Sequence, residues 1–336
     1  MTTLQKKKLK LKKGEKIPLC YDECFKIMFA NPNRMEPLTL LLSKILKVEY
    51  EELEGKIELY PLTLPNETIG EKKMERDVVV KFKEDLNGKI ILEVNFRKQF
   101  YETIINRNLN YLSEVASKGL KSGDDYDKIE PTLLVNFNTF YVDNIHKKIF
   151  DYYYWKNDEG YILTENQKIL NINIAKCYKT CYNKTYKALI DGEEKDILLL
   201  SAAIYTNKIE EFNECIEKIK AKRKVKNIME EVSSRMNESE TLQMRYVDFL
   251  DETRKINRSI IADETRKARK KGLEQGLAEG RAEGRAEGRA SGLAEGSLLK
   301  EKEIILNMLN KNFTYELISE ATNLSEEKIK EIVKSK

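Results

Sequence analysis

Histidine is almost missing from this chain of 336 residues: His146 is the only one. Nucleophile schemes that rely on a histidine base therefore have almost no material to work with. A structural zinc site would need cysteines, and these number only five: Cys20, Cys24, Cys177, Cys181 and Cys215. Their odd count, with no secretion signal ahead of them, points to reduced thiols in a cytoplasm. Long apolar runs are missing too. No stretch nears the roughly 18 residues that a membrane-spanning helix needs, so no membrane partner is expected. The net charge of +4 is too small to announce a polyanionic partner by itself. Its distribution is less even, because seven of the first sixteen residues are lysine. Residues 1–16 read as a basic flexible tail, or alternatively as an arm that grips phosphates.

The chain is long enough for one sizeable core with smaller appendages. "YDECFKIMFANPNRMEPLTLLLSKIL" has the spacing of a helix broken near "NPN", then a second helix through Leu46. "KIELYPLTLPNET" reads as a strand followed by a loop. "QFYETIINRNLNYLSEVASKGL" is an amphipathic helix with Ile104, Leu109, Leu112 and Val115 facing a core, and "IEPTLLVNFNTF" is an apolar strand. Further strands are expected in "KIFDYYYW" and "KILNINIA". The tyrosines beside Trp155 suit a core or edge strand, and could also stack on bases. Antiparallel strands joined by a helical crossover to another strand imply a mixed sheet with helices on its faces.

Between these elements lies "RDVVVKFKEDLNGKIILEVNFRKQ", Arg76 to Gln99. Val78, Val80, Phe82, Ile90, Leu92, Val94 and Phe96 sit at even positions. Asp77, Val79, Lys81, Lys89, Ile91, Glu93 and Asn95 sit at odd ones. The pattern is a hairpin with one apolar face, and pairing must keep odd residues opposite odd. A two-residue Asn87-Gly88 turn would pair Leu86 with Lys89 and break that parity. Two loops keep it. A three-residue bulged turn with left-handed Gly88 places Asp77 roughly 13 Å beyond the residue pair that contains Glu93. A five-residue loop, Lys83 to Asn87, sets Asp77 directly opposite Glu93, with Cβ atoms about 5 Å apart. Two carboxylates at that spacing could share a hard divalent cation.

Asp77, fifteen intervening residues, Glu93-x-Asn95, and then a helix with Arg107 and Tyr111 resembles the PD-(D/E)XK nuclease superfamily. More narrowly the chain is similar to the Rpn family of recombination-promoting nucleases, also described as PD-(D/E)XK family putative transposases. The likeness begins near Tyr21 with "YDECFKIMF", includes "ERDVVV", "ILEVN" and "NRNLNYLSEVASKGLKSGDDY", and continues through "PTLLVNF" to the C-terminal segments. The resemblance implies an α/β fold with a restriction-endonuclease-like core, a mixed sheet flanked by helices, and a charged helical C-terminal region. It implies DNA as partner and phosphodiester hydrolysis, possible in recombination, mobile-element biology or defence. Asp77 and Glu93 would hold Mg²⁺, or another divalent cation such as Mn²⁺ or Ca²⁺, as catalytic and metal residues. Asp22 would be an outlying acid or simply a helix-start residue, and Lys26 and Arg107 would contact phosphate or cover the core surface. Asn95 departs from the pattern, since the superfamily usually has lysine there and this family glutamine. Asparagine can orient a water but carries no charge, which Lys81, Lys89 or Lys98 would have to supply. A catalytically weak or inactive DNA-binding relative is the alternative.

Residues 17–200 are expected to form the nuclease-like domain and 201–271 a charged helical region. Residues 272–296 carry seven glycines, one every four residues, each costing a helix about 1 kcal/mol relative to alanine. The stripe drifts by roughly 40° per repeat, so it suits either a close-packed homo-oligomer or a spacer. Residues 297–336 read as a small helical tail, with Ser325 capping a helix that starts with two glutamates.

Overall fold

The structure, a computed structural model, describes residues 11–60, 77–83, 86–97, 101–117, 122–142, 147–182 and 194–334. His146, Lys98 and the first ten residues lie outside the described residues. The chain divides into two compact units, Met1–Ile260 and Ile261–Lys336.

The apolar spacing of the opening segment builds α1 (Asp22–Phe29) and α2 (Glu36–Leu46). A proline in the first turn of α2 costs no hydrogen bond there. After the short α3 (Tyr50–Leu53) come β1 (Ile57–Leu59), β2 (Val78–Phe82) and β3 (Lys89–Asn95). The helix α4 (Tyr101–Ser117) crosses over to β4 (Thr132–Asn138), and β5 (Phe150–Lys156) and β6 (Ile162–Asn173) follow. The six strands lie in the order β1-β2-β3-β4-β6-β5. Pairing is antiparallel from β1 to β3, parallel for β3-β4 and β4-β6, and antiparallel for β5-β6, so the expected mixed sheet is present. The tyrosine-rich β5 is an edge strand, one of the two positions that its composition suits.

Both faces of this sheet are covered. Val78, Val80, Ile90, Leu92, Val135 and Leu170 join the large core that also holds α1 and α2. Val79, Ile91, Leu134 and Ile169 pack under Tyr111, Leu112 and Val115 of α4. The hairpin therefore differs from the expected strand pair with one solvated face. Its odd row is polar only at the ends, and Val79 and Ile91 lie in the middle of a second apolar layer. Even Lys89 in this row is buried, its ammonium bonded to the Val115 carbonyl and to Glu130.

The β2-β3 register, Val78 opposite Leu92 and Val80 opposite Ile90, selects the five-residue loop over the bulged turn. Gly88 closes the ladder through its carbonyl, which accepts from Phe82 N–H at 3.1 Å. Its φ of 138° is not the left-handed conformation that the bulge required. A Cβ at this position would meet the Pro131 carbonyl oxygen at 2.9 Å. Gly88→Ala is expected to lose about 2–4 kcal/mol in urea unfolding through this clash and the positive φ. A loss below half a kilocalorie would show that the loop relaxes freely.

The rest of the first unit is helical: α5 (Ile174–Tyr182), α6 (Lys195–Tyr205), α7 (Ile209–Lys218), α8 (Arg223–Glu238) and the start of α9 (Glu240–Asn310). Apolar residues of α6, α7 and α8, with Leu242 and Tyr246 of α9, belong to the same core cluster as the sheet. The expected boundary between residues 200 and 201 falls inside α6, because that helix is almost wholly apolar and buries on all sides. Cys20 precedes α1, so only Cys177 and Cys181 share a helix; all five cysteines are free thiols.

Residues 11–16 depart from the expected flexible tail. Lys16 N–H donates to the Asn207 carbonyl at 2.8 Å, and Ile209 N–H donates to Gly14. Lys16 is only 1% exposed, its ammonium bonded to the Ile17 carbonyl at 2.9 Å and 4.7 Å above the Phe212 ring. Burial pulls its pKa down from 10.5 to about 8, against the opposing influence of Cys24 and Cys20. Between those two values the unfolded chain binds the extra proton, so stability rises with pH through that window. At pH 7 the full penalty is present. Lys16→Met is expected to stabilise the protein by about 2–3 kcal/mol at pH 7 and to flatten the rise in Tm from pH 8 to 10. A Tm equal to or below wild type at pH 7 would remove this account.

In the second unit the glycine-repeat segment is continuous α-helix within α9, and a Cβ added at any of its seven glycines would meet nothing within 4 Å. Ile305 of α9, Ile318 of α10 (Tyr315–Thr322) and Ile329 of α11 (Glu326–Lys334) form a small core. Ser325 caps α11 by accepting from Lys328 N–H, and Thr314 caps α10 in the same way from Leu317.

Candidate active site

The odd row of the hairpin ends in the two acids. Continuing the observed register by one residue sets Asp77 opposite Glu93. Each carboxylate holds the other strand's backbone: Asp77 N–H donates to Glu93 Oε1 at 3.2 Å, and Val94 N–H donates to Asp77 Oδ2 at 2.7 Å. Asp77 is 7% exposed, Glu93 4% and Asn95 3%. All three line a cavity of about 630 Å³, together with Asp22, Lys26, Arg107 and Tyr111. These seven residues, separated by up to 89 positions in the chain, thus line one cavity.

Asp22 and Lys26 are one turn apart on α1 and bonded at 3.1 Å. Lys26 Nζ also reaches Asp77 Oδ1 at 3.3 Å. Asp22 caps no backbone group of α1; its oxygens turn toward Lys26 and Asp77 instead. Burial, the hydrogen bond with Asp22 and the nearby Glu93 charge hold the Asp77 carboxyl well above the usual carboxylate range. Asp22 moves the other way: although burial would raise it, the bond with Asp77 and the Lys26 charge bring it down. Lys26 is pushed up despite its burial, by the charges of Asp77 and Asp22. These acids crowd one another, and Lys26 offsets only part of their charge. Among the described residues no group of three or more His, Cys, Asp or Glu side chains is placed to hold a metal ion.

Asn95 plays a different part from the one expected of a water-orienting residue. Its Oδ1 accepts from Arg107 Nη2 at 2.6 Å, and its Nδ2 donates to Asn138 at 2.9 Å and Asn136 at 3.3 Å. Asn136 and Asn138 both donate onward to Asn171 Oδ1. A ladder of buried amides thus crosses β3, β4 and β6. The sequence carried a signal for it: asparagine is disfavoured in strands, yet it recurs at alternate positions in "LVNFN" and "LNIN". Asn136 and Asn138 pair with Glu93 and Asn95, and Asn171 and Asn173 pair with them in turn.

Arg107 stands 5.7 Å over the Tyr111 ring one turn along α4, and its Nε is buried without a partner. Lys81 and Lys89, the suggested substitutes for a motif lysine, do not line the cavity; both pair with Glu130. Two lining residues went unnoticed in the sequence. Arg97 donates to Thr253 at 3.1 Å and pairs with Glu252 at 2.5 Å, and it lies 4.6 Å over the Phe249 ring. Their separation by some 150 residues hides such a contact from any local pattern.

A mixed sheet with helices on both faces, and two opposed acids at the hairpin beside a helical crossover, define an α/β fold of the PD-(D/E)XK type. Residues 19–259 match the family described as PD-(D/E)XK nuclease family transposase, and the chain belongs to that family. The match ends at the border of the first compact unit. No curated protein and no solved structure gives a significant match. The family supports a nuclease-type domain. No helix among the described residues is long and apolar enough to cross a membrane.

Proposed function

We propose that the chain is a divalent-metal-dependent DNA endonuclease that hydrolyses phosphodiester bonds. The observation that carries this is the pair of opposed, buried carboxylates, Asp77 and Glu93, lining one cavity with Lys26, Arg107 and Arg97. Hard oxygen donors crowded against one another fit Mg²⁺ or Mn²⁺, and Asp77 and Glu93 would hold it, with Asp22 at its edge. When bound, the ion supplies charge to the scissile phosphate and to an attacking water. Arg107 lines the cavity, where its guanidinium would meet a phosphate while Asn95 fixes one end of it. Lys26 offsets Asp77 in the free protein and has a phosphate oxygen as its alternative partner when DNA is bound. The backbone bonds between the two acids keep both carboxylates from swinging apart.

Nicking of supercoiled plasmid tests this reading: product with Mg²⁺ or Mn²⁺ and none with EDTA is expected. A second reading, a DNA-binding relative that does not cut, is favoured by Asn95, whose amide atoms are both engaged within the fold. It predicts salt-dependent gel shifts without cleavage under any metal. Self-association through the glycine-repeat helix is part of the same proposal, and an unchanged mass in light scattering after truncation before Gly272 would count against it.

A further inference from the structure

α1 separates two grooves. Asp22 and Lys26, one helical turn apart, face the carboxylate cavity, whereas Glu23 and Ile27, shifted by one residue, line a second groove of about 270 Å³. Three arginines converge on this second groove: Arg34, Arg235 and Arg245. Arg245 is paired with Glu23 at 2.6 Å, and Arg235 with Glu231 on its own helix. Arg34 is in no carboxylate ion pair among the described residues; its Nη2 donates to the Ile27 carbonyl at 2.6 Å, and its Nε is buried with no acceptor. The groove lining thus carries three guanidinium groups against one carboxylate, with one donor unused. Arginine forks match the oxygens of a phosphate diester.

We infer that this groove holds a backbone phosphate of the DNA strand whose scissile phosphate lies at Asp77 and Glu93, the strand crossing the ridge of α1 between the two. The inference rests on the DNA reading proposed above. A helix with its side chains is about 10–12 Å wide, so at about 3.4 Å per step the clamped phosphate lies roughly three nucleotides from the cut. Glu23 sits at the crest and lines both grooves. Glu23 pairs Arg245 within the groove, whereas Glu231, the partner of Arg235, does not line it, so Arg34 and Arg235 are the cations that meet the strand.

The test uses the full chain with a labelled 30-base-pair duplex, reading binding by anisotropy across a salt series in Ca²⁺, and cleavage separately in Mg²⁺. Arg34→Gln/Arg235→Gln is expected to weaken binding about 10- to 100-fold at moderate salt and to lower the slope of log K against log salt by about 2. In cleavage assays the double variant is expected to show a raised KM. Arg235→Glu alone, at a side chain bonded only within its own helix, guards against a folding defect at Arg34 and is expected to lower the slope by about 1. Unchanged slopes in both variants overturn the inference. So does a wild type that shows no salt-dependent DNA binding. If millimolar inorganic phosphate raises Tm in wild type but not in the double variant while the DNA slope is unchanged, the groove is a small-anion site and the strand path is wrong. If the slopes fall as expected but no protein cleaves, the groove stands and the endonuclease reading fails.

Discussion

Asp77→Asn and Glu93→Gln are each expected to reduce metal-dependent plasmid nicking by about 10³-fold or more, while leaving the protein folded. The effect on stability is the more discriminating half of this expectation. Burial and the neighbouring acids raise the Asp77 pKa above its unfolded value. A carboxyl shifted in that direction loses stability as pH rises from its unfolded pKa toward its folded one, and that loss has set in by pH 7. Asparagine has the same shape and keeps an oxygen to accept from Val94 N–H. Metal-free Asp77→Asn is therefore expected to be more stable than wild type at pH 7, by about 1–2 kcal/mol. Mg²⁺ or Mn²⁺ should raise the Tm of wild type and not that of either variant. A variant that still cuts, or still gains Tm from metal, would remove Asp77 and Glu93 from the site. A variant that simply unfolds would show that the acids serve the hairpin and not a cation.

The second large effect is expected at Asn95. Asn95→Lys would restore the residue usual for the wider superfamily, and the resemblance alone predicts more cleavage. The surroundings predict the opposite. Lysine has no acceptor for Arg107, whose guanidinium now bonds Asn95 Oδ1 at 2.6 Å, and its ammonium would face that cation inside the sheet. Asn136 and Asn138 would lose the donor that links them to β3. The expected result is a loss of about 2–4 kcal/mol in urea unfolding and no gain in nicking rate. Faster cleavage with unchanged stability would mean that the amide ladder is slack enough to admit a motif lysine.

Much of the architecture was legible because it depends on periodicity within short segments. Four-residue apolar spacing located α1, α2 and α4 within a few residues, and the parity of Arg76 to Gln99 excluded a two-residue turn. Ser325 was readable as a cap because the cap residue and its partner are three positions apart. The end of the lysine-rich tail was misread for the complementary reason. Its composition suits solvent, but Lys16 is held by backbone bonds to Asn207 and by the ring of Phe212.

Local pattern by itself established that Asp77, Glu93 and Asn95 share one face, since side chains alternate strictly along a strand. The order of motifs from Tyr21 onward also carried the resemblance to the family that residues 19–259 match. Tertiary structure decided the matters that depend on what lies across the sheet or above it. The Lys83–Asn87 loop was chosen over the bulged turn, with Gly88 fitted tightly against Pro131. The odd face was buried under α4 rather than left to water. Asn95 was tied to Arg107 and to asparagines more than forty residues away, and Lys26 was brought against Asp77. Parity limits which residues can face each other. Which of the permitted registers and partners is realised depends on apolar burial and hydrogen bonds made by residues far apart in the chain.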